Sequence, residues 1–211
     1  MSEIVSGEDS INESIESREP YPHIEFPSND SHPGDPTEHI INRTRLFTGR
    51  VFATEIMDVR LQDGSVSKRE IVRHNGGATI VPLDEDMNVY VVRQFRAPFQ
   101  QVLVETPAGK LEIDENPRDC AIRELREETG LIADHVEDLG CIFPSPGYCA
   151  EALYLFLATG LHQGERSLDD GEFLNVEKIP LTELLKKIEE NKIRDAKTVI
   201  ALLKTARRVG L

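Results

Sequence analysis

Tryptophan is absent, aromatic residues make up only 6% of the chain, and no apolar run approaches the ~18 residues a membrane-spanning helix requires. The acidic N-terminus also lacks the basic-then-apolar order of a signal peptide. No membrane partner is therefore expected. Cysteine is scarce too: Cys120, Cys141 and Cys149 form neither an even set nor a CxxC pair. That excludes a disulfide scaffold and suits a reducing compartment, so the expected location is the cytoplasm. Nothing around the three thiols marks a nucleophile or a zinc ligand, and they read as small packing residues.

Basic residues are nearly missing from the first forty positions, where Arg18 alone faces ten acids and the segment carries −9 of the total −14. Five of the twelve prolines lie there as well (Pro20, Pro22, Pro27, Pro33 and Pro36). Such a composition buries too little apolar surface to offset the entropy of ordering, so 1–40 reads as a disordered acidic arm. Residues 41–211 read as one domain, in keeping with a chain of 211 residues that is 39% apolar and 29% charged. Uniform acidity repels phosphodiester backbones and argues against a nucleic-acid polymer as partner, but not against a small anionic ligand held through a metal.

Beyond the arm the chain becomes periodic. Arg50 to Glu55 and Met57 to Leu61 read as strands of a hairpin, closed by the turn signal Asp63-Gly64. Ser67 to Arg73, Ala78 to Leu83 and Val89 to Phe95 continue a mainly antiparallel β pattern. Asn116 as N-cap, Pro117 at the first helical position and Gly130 beyond the end predict a helix over 117–128. Strand signals resume at Gly140 to Phe143, Leu153 to Ala158 and Phe173 to Val176. Two amphipathic helices follow, from Leu181 to about Lys192 and from Asp195, the second expected to bury Val199, Ile200, Leu202 and Leu203. The fold class is α/β or α+β with a mixed sheet.

Within the first helix Glu124, Glu127 and Glu128 stand at i, i+3 and i+4, which places three acids on one face. A solvated acidic face satisfies that spacing. So does a site for a hard divalent cation, which takes oxygen ligands and shares them with substrate phosphates. The wider pattern decides between them: Gly109, then Glu115, Arg123-Glu124-Leu125, Glu127-Glu128 and Gly130-Leu131 resemble the 23-residue Nudix box at every specified position. A chance match somewhere in the chain is on the order of one in ten million.

The resemblance implies a Nudix-like α/β/α sandwich with mixed sheet and an N-terminal antiparallel β-extension over 41–75. The implied activity is Mg²⁺- or Mn²⁺-dependent cleavage of a nucleoside diphosphate linked to another group. Arg123 is expected to pair with a box carboxylate such as Glu115, and Leu125 and Leu131 to anchor the core.

Over roughly 45–205 the chain is similar to the ADP-ribose pyrophosphatase branch, through Glu105-Thr106-Pro107-Ala108-Gly109, Ser145-Pro146-Gly147-Tyr148, Arg69-Glu70-Ile71-Val72 and Arg93-Gln94-Phe95-Arg96. That similarity implies ADP-ribose as substrate, yielding AMP and ribose 5-phosphate. Its metal ligands would be the Ala108 carbonyl, Glu124, Glu127, Glu128 and Glu172, with Asp170 as general base. Asp170 stands where the branch more often has glutamate, a side chain reaching ~1 Å further, a distance on the scale that catalytic geometry feels. Arg96 and Glu105 would meet substrate, and Arg69 and Glu70 would grip the nucleoside across a homodimer interface. Two readings compete: a pyrophosphatase for another nucleotide sugar, dinucleotide or oxidised nucleotide, and a non-catalytic ADP-ribose-binding module.

Overall fold

The computed structural model describes residues 34–166 and 173–211. The proposed base Asp170 and ligand Glu172, together with most of the acidic arm, lie outside the described residues.

The N-terminal sheet has three antiparallel strands in sequence order: β1 (His39–Thr48), β2 (Ala53–Arg60) and β3 (Val66–Arg73). The expected hairpin between Arg50 and Leu61 is not there. Those letters form mainly one strand, β2, because no turn residue interrupts them, and β2 pairs on one side with a strand the sequence reading did not find. The Asp63-Gly64 turn instead joins β2 to β3: Asp63 accepts the Ser65 N–H at 2.9 Å, and Gly64 takes φ +84°, where glycine is at no disadvantage. Every residue of β1 is exposed, so alternation between an inner and an outer face could not reveal it.

Two further sheets build the domain. One has the order β10-β5-β6, with β5 (Asn88–Arg96), β6 (Gln101–Glu105) and β10 (Leu174–Pro180). The other has the order β7-β4-β9-β8 and is mixed: β4 (Gly77–Pro82) runs parallel to β9 (Leu153–Gln163) and antiparallel to β7 (Ala108–Lys110), while β8 (Leu131–Ile142) is antiparallel to β9.

Strand β4 sits at the centre and is buried along its whole length, and its alternating side chains feed two cores. Ala78 and Ile80 pack with Cys120, Ala121 and Leu125 of the carboxylate helix. Val81, with Leu83 just beyond the strand, packs with Leu181 and Leu184 of α2 (Leu181–Glu189) and Ala201 and Leu202 of α3 (Ala196–Val209). Helices on both sides of the β layers give the expected layered α+β architecture. In α3 the buried face is Ala201, Leu202, Thr205 and Ala206, whereas Leu203, expected inside, is exposed. Thr198, Ala201, Leu202 and Thr205 stand at i, i+3, i+4 and i+7 on one helical face, and Leu203 falls outside that stripe. Among the described residues no helix is long and apolar enough to cross a membrane.

Candidate active site

The carboxylate helix begins as predicted. Asn116 accepts the Arg118 N–H at 2.9 Å and Pro117 opens α1 (Pro117–Glu124). Its end differs, since the α-helix stops at Glu124 and the last turn, Leu125–Thr129, is a wider π-turn. Thr129 closes that turn by donating to the Leu125 carbonyl, and Gly130, at φ +74°, donates its N–H to the Arg126 carbonyl at 2.8 Å.

Opposite this turn the chain leaves β6 and enters β7 through Thr106 and Pro107. The segment is held firmly: Ile80 N–H and Thr79 Oγ1 both donate to the Pro107 carbonyl, at 3.0 and 2.9 Å, and Thr106 N–H donates to Thr198 Oγ1 of α3 at 2.9 Å. Two box carboxylates gather on the rigid backbone that follows. Ala108 N–H donates to Glu128 Oε2 at 3.0 Å. Gly109 lies so close beneath Glu124 that a Cβ there would stand 1.7 Å from Oε1. Glu128 is 1% and Glu124 8% exposed, while Glu127 is half-buried.

Arg123 ties the cluster together. It pairs with Glu115 at 2.9 and 3.1 Å, as the sequence suggested, and its Nη1 reaches Glu124 at 2.6 Å and Glu127 at 2.9 Å. Hydrogen bonding to Glu115 is the main reason its guanidinium is held even more firmly protonated than usual. Burial pushes the Glu115 carboxyl up, but hydrogen bonds from Arg123 and the Glu112 N–H outweigh it and bring the group below its ordinary range. Burial, aided by the Glu115 charge, pushes the Cys120 thiol up to about 12, so it is an inert packing group.

The donors here are all oxygens, which suits a hard divalent cation, and the side-chain-free surface of Gly109 leaves the Glu124 carboxylate its place. Among the described residues no three carboxylate, imidazole or thiolate side chains close around one point by themselves.

Beside this cluster opens a cavity of about 310 Å³, whose wall includes Arg96, Ala108, Gly109, Glu151, Asp195 and Lys197. Glu105 does not line it. The carboxylate is 1% exposed and grips Arg96 in two parallel hydrogen bonds of 2.7 Å each, while Lys197 also donates to it. Burial acts to raise the Glu105 carboxyl, yet the Arg96 hydrogen bonds and the Lys197 charge keep it below its ordinary value. Burial raises the Glu151 carboxyl and lowers the neighbouring His74 imidazole, 3.5 Å away, so burial disfavours the charged form of both groups.

Arg69 and Glu70 are not part of this cavity. They sit on β3, where Arg69 pairs with Glu38 and Glu70 lines an apolar cleft with Leu46, Ile56 and Tyr148. Glu151, Asp195 and Lys197 were missed by sequence reasoning. Asp195 was visible only as a helix start, and indeed it caps α3 by accepting the Thr198 N–H at 3.0 Å. Glu151 follows Ser145 to Tyr148 closely enough that the loop could have drawn attention to it.

The family model described as NUDIX domain matches residues 73–202. The chain is 41% identical over 167 residues to the methanol dehydrogenase activator of Bacillus methanolicus, covering 78% of this chain and 90% of that protein. It is 38% identical over 167 residues to the ADP-ribose pyrophosphatase of Bacillus subtilis, with the same coverage of 78% and 90%. A solved structure described as the crystal structure of an ADP compounds hydrolase shares the fold, with a TM-score of 0.74 at 24% identity, covering 83% of this chain and 94% of that one.

Proposed function

The chain belongs to the Nudix family, and from that premise we propose that it hydrolyses the diphosphate of ADP-ribose, with Mg²⁺, to AMP and ribose 5-phosphate. The observation that carries the reading is the convergence of Glu124 and Glu128 on the Ala108–Gly109 backbone, beside a cavity walled by Arg96 and Lys197. The similarity to a relative named for this activity supports the choice of substrate.

Glu124, Glu127, Glu128, the Ala108 carbonyl and Glu172 would hold Mg²⁺, or Mn²⁺ in its place. A bound divalent cation supplies charge neutralisation for the diphosphate and lowers the pKa of a bound water. The protein's own work is positional. Arg123 sets the spacing of Glu124 and Glu127, while Glu105 aims Arg96 at diphosphate or ribose oxygens. Asp170 takes the proton of the attacking water, and no covalent intermediate is needed, because among the described residues no side chain in the cavity has the setting of an activated nucleophile.

We place the working enzyme in the cytoplasm, in keeping with three free cysteines, and as a homodimer whose N-terminal sheets bring Arg69 and Glu70 of each copy to the nucleoside end of the other's site. Ile40, Ile41, Leu46 and Phe47, all 45% exposed or more, give β1 an apolar surface suited to such pairing. Light scattering at micromolar concentration should report a dimer, and a fully active monomer would reject it. The function itself is tested by AMP release from ADP-ribose, abolished by chelator and restored by excess Mg²⁺. Cleavage of another nucleoside diphosphate sugar but not ADP-ribose would move the substrate, and no hydrolysis of any would favour a binding module.

A further inference from the structure

The sheet β10-β5-β6 turns an apolar row outward. Phe95 pairs with Val102 across β5 and β6, so the two side chains share one face. On the other side Leu174 pairs with Gln94, so Phe173, one residue earlier, stands opposite Phe95 on that same face. Phe173 is 86%, Phe95 55% and Val102 49% exposed, and Phe99, in the turn between β5 and β6, is 67% exposed. Exposed apolar residues scattered singly need no explanation, but a row across three strands marks a surface that something covers.

Val102 joins this row to a cavity of about 380 Å³ whose wall also carries Arg93, Lys187, Lys192 and Arg194; among the described residues Glu177 is the only acid in the lining. The cations are loosely engaged. Arg93 stands 3.5 Å from Glu177, Lys187 and Lys192 turn to Glu183 and Glu190 at 2.7 and 2.6 Å, and Arg194 spends its Nε on the Asn191 carbonyl at 3.0 Å. Surface pairs of this kind contribute only ~0–1 kcal/mol each, so an incoming carboxylate displaces them at little cost. An apolar row with a basic end fits a segment that is acidic and carries aliphatic side chains.

Residues 3–19 of this chain have that chemistry. They set Glu3, Glu8, Asp9, Glu13, Glu16 and Glu19 against Arg18 alone, interleaved with Ile4, Val5, Ile11 and Ile15. We infer that this segment of the same chain docks on the Phe173–Phe95–Val102 row, its acids meeting the basic end. The tether is long enough. The described chain starts beside the β2–β3 turn, where Gln62 donates to the Asp35 carbonyl at 2.9 Å. Residues 20–33, four of them proline, span up to about 43 Å at ~3.1 Å each, whereas the eight residues of β3, which lead from that turn back to the domain, cover about 26 Å. A short tether holds a segment at roughly millimolar effective concentration, so a contact too weak to capture a separate partner is filled by the chain's own. A segment too acidic to order by itself can still order on such a surface.

Because the chain has no tryptophan, Ile11→Trp in the full-length protein makes the emission of this segment readable by itself. Its quenching by acrylamide, an uncharged quencher, should be at least threefold weaker than that of a synthetic peptide of residues 1–19 with the same substitution, and should not change with protein concentration. In the same background Lys187→Glu together with Lys192→Glu, and separately Val102→Asp, should return quenching to within 1.5-fold of the peptide while the melting temperature moves little. Either variant suffices if the other does not fold. Quenching of the Ile11→Trp protein within 1.5-fold of the peptide would overturn the inference. So would protection that a folded surface variant leaves intact, because the segment then docks elsewhere. Protection that grows with protein concentration would overturn it as well, since it assigns the surface to contacts between separate chains.

Discussion

Replacing Gly109 by alanine separates the place of a carboxylate from its chemistry. The added Cβ would meet Glu124 Oε1 at 1.7 Å and Cδ at 2.1 Å, whereas non-bonded atoms settle near ~3.5 Å, so the carboxylate must retreat by roughly 2 Å. Glu124 can do this, since it is the far end of a side chain rather than backbone. The retreat weakens its contact with Arg123, about 1 kcal/mol for such a bond, but Arg123 keeps Glu115 and Glu127. Gly109 does not use a positive φ, so alanine fits the backbone and stiffens the unfolded chain, a gain of roughly 0.4–1 kcal/mol. The two terms nearly cancel, and the melting temperature should move by no more than ~4 °C. Turnover should not be spared. A misplacement of ~1 Å can cost 10²-fold, so AMP release at saturating Mg²⁺ should fall by at least about 10². A Gly109→Ala protein within threefold of the parent rate would show that the position of Glu124 over this backbone does not matter. A large drop in melting temperature would show that the backbone, not the carboxylate, gave way.

Glu128→Gln should lower kcat by a factor on the order of 10³ with the fold intact, because the amide oxygen can still accept the Ala108 N–H while the charge is lost; a variant within threefold of the parent would remove Glu128 from the site. The pH dependence of stability has a definite sign. The Glu105 carboxyl titrates lower in the folded protein than its ordinary 4.5, so its contribution is fully present above that value and is lost as pH falls below it towards the folded value. Urea unfolding of the parent and of Glu105→Gln should therefore show a gap at pH 7 that narrows on acidification below 4.5, and parallel profiles would refute it.

What was legible in the sequence was whatever local chemistry dictates. Asn116, Pro117 and Gly130 marked the carboxylate helix because capping acts within a few residues, and Glu115 and Arg123 could be matched because only about two helical turns separate them. The π-turn left no such mark, since the letters of Leu125–Thr129 suit an α-helix equally well and tertiary contacts choose between the two. β1 was missed because none of its residues is buried in the described chain. The Arg96–Glu105–Lys197–Asp195 set was beyond reach for another reason. Its central contact joins residues 92 apart, and pairing over such a distance depends on where β6 and α3 come to rest.

The wide turn at Leu125–Thr129 makes chain length as important here as residue identity. Loss of a single codon within it would let the segment wind as an ordinary α-helix, with more regular backbone hydrogen bonds, and would swing Glu128 off the Ala108 N–H. The resulting protein would be well folded and idle. Outside Leu125, Glu127 and Glu128, natural variation through this stretch should accordingly tolerate exchanged letters better than altered spacing, and a deletion scan would expose a requirement for length that substitution scanning cannot see.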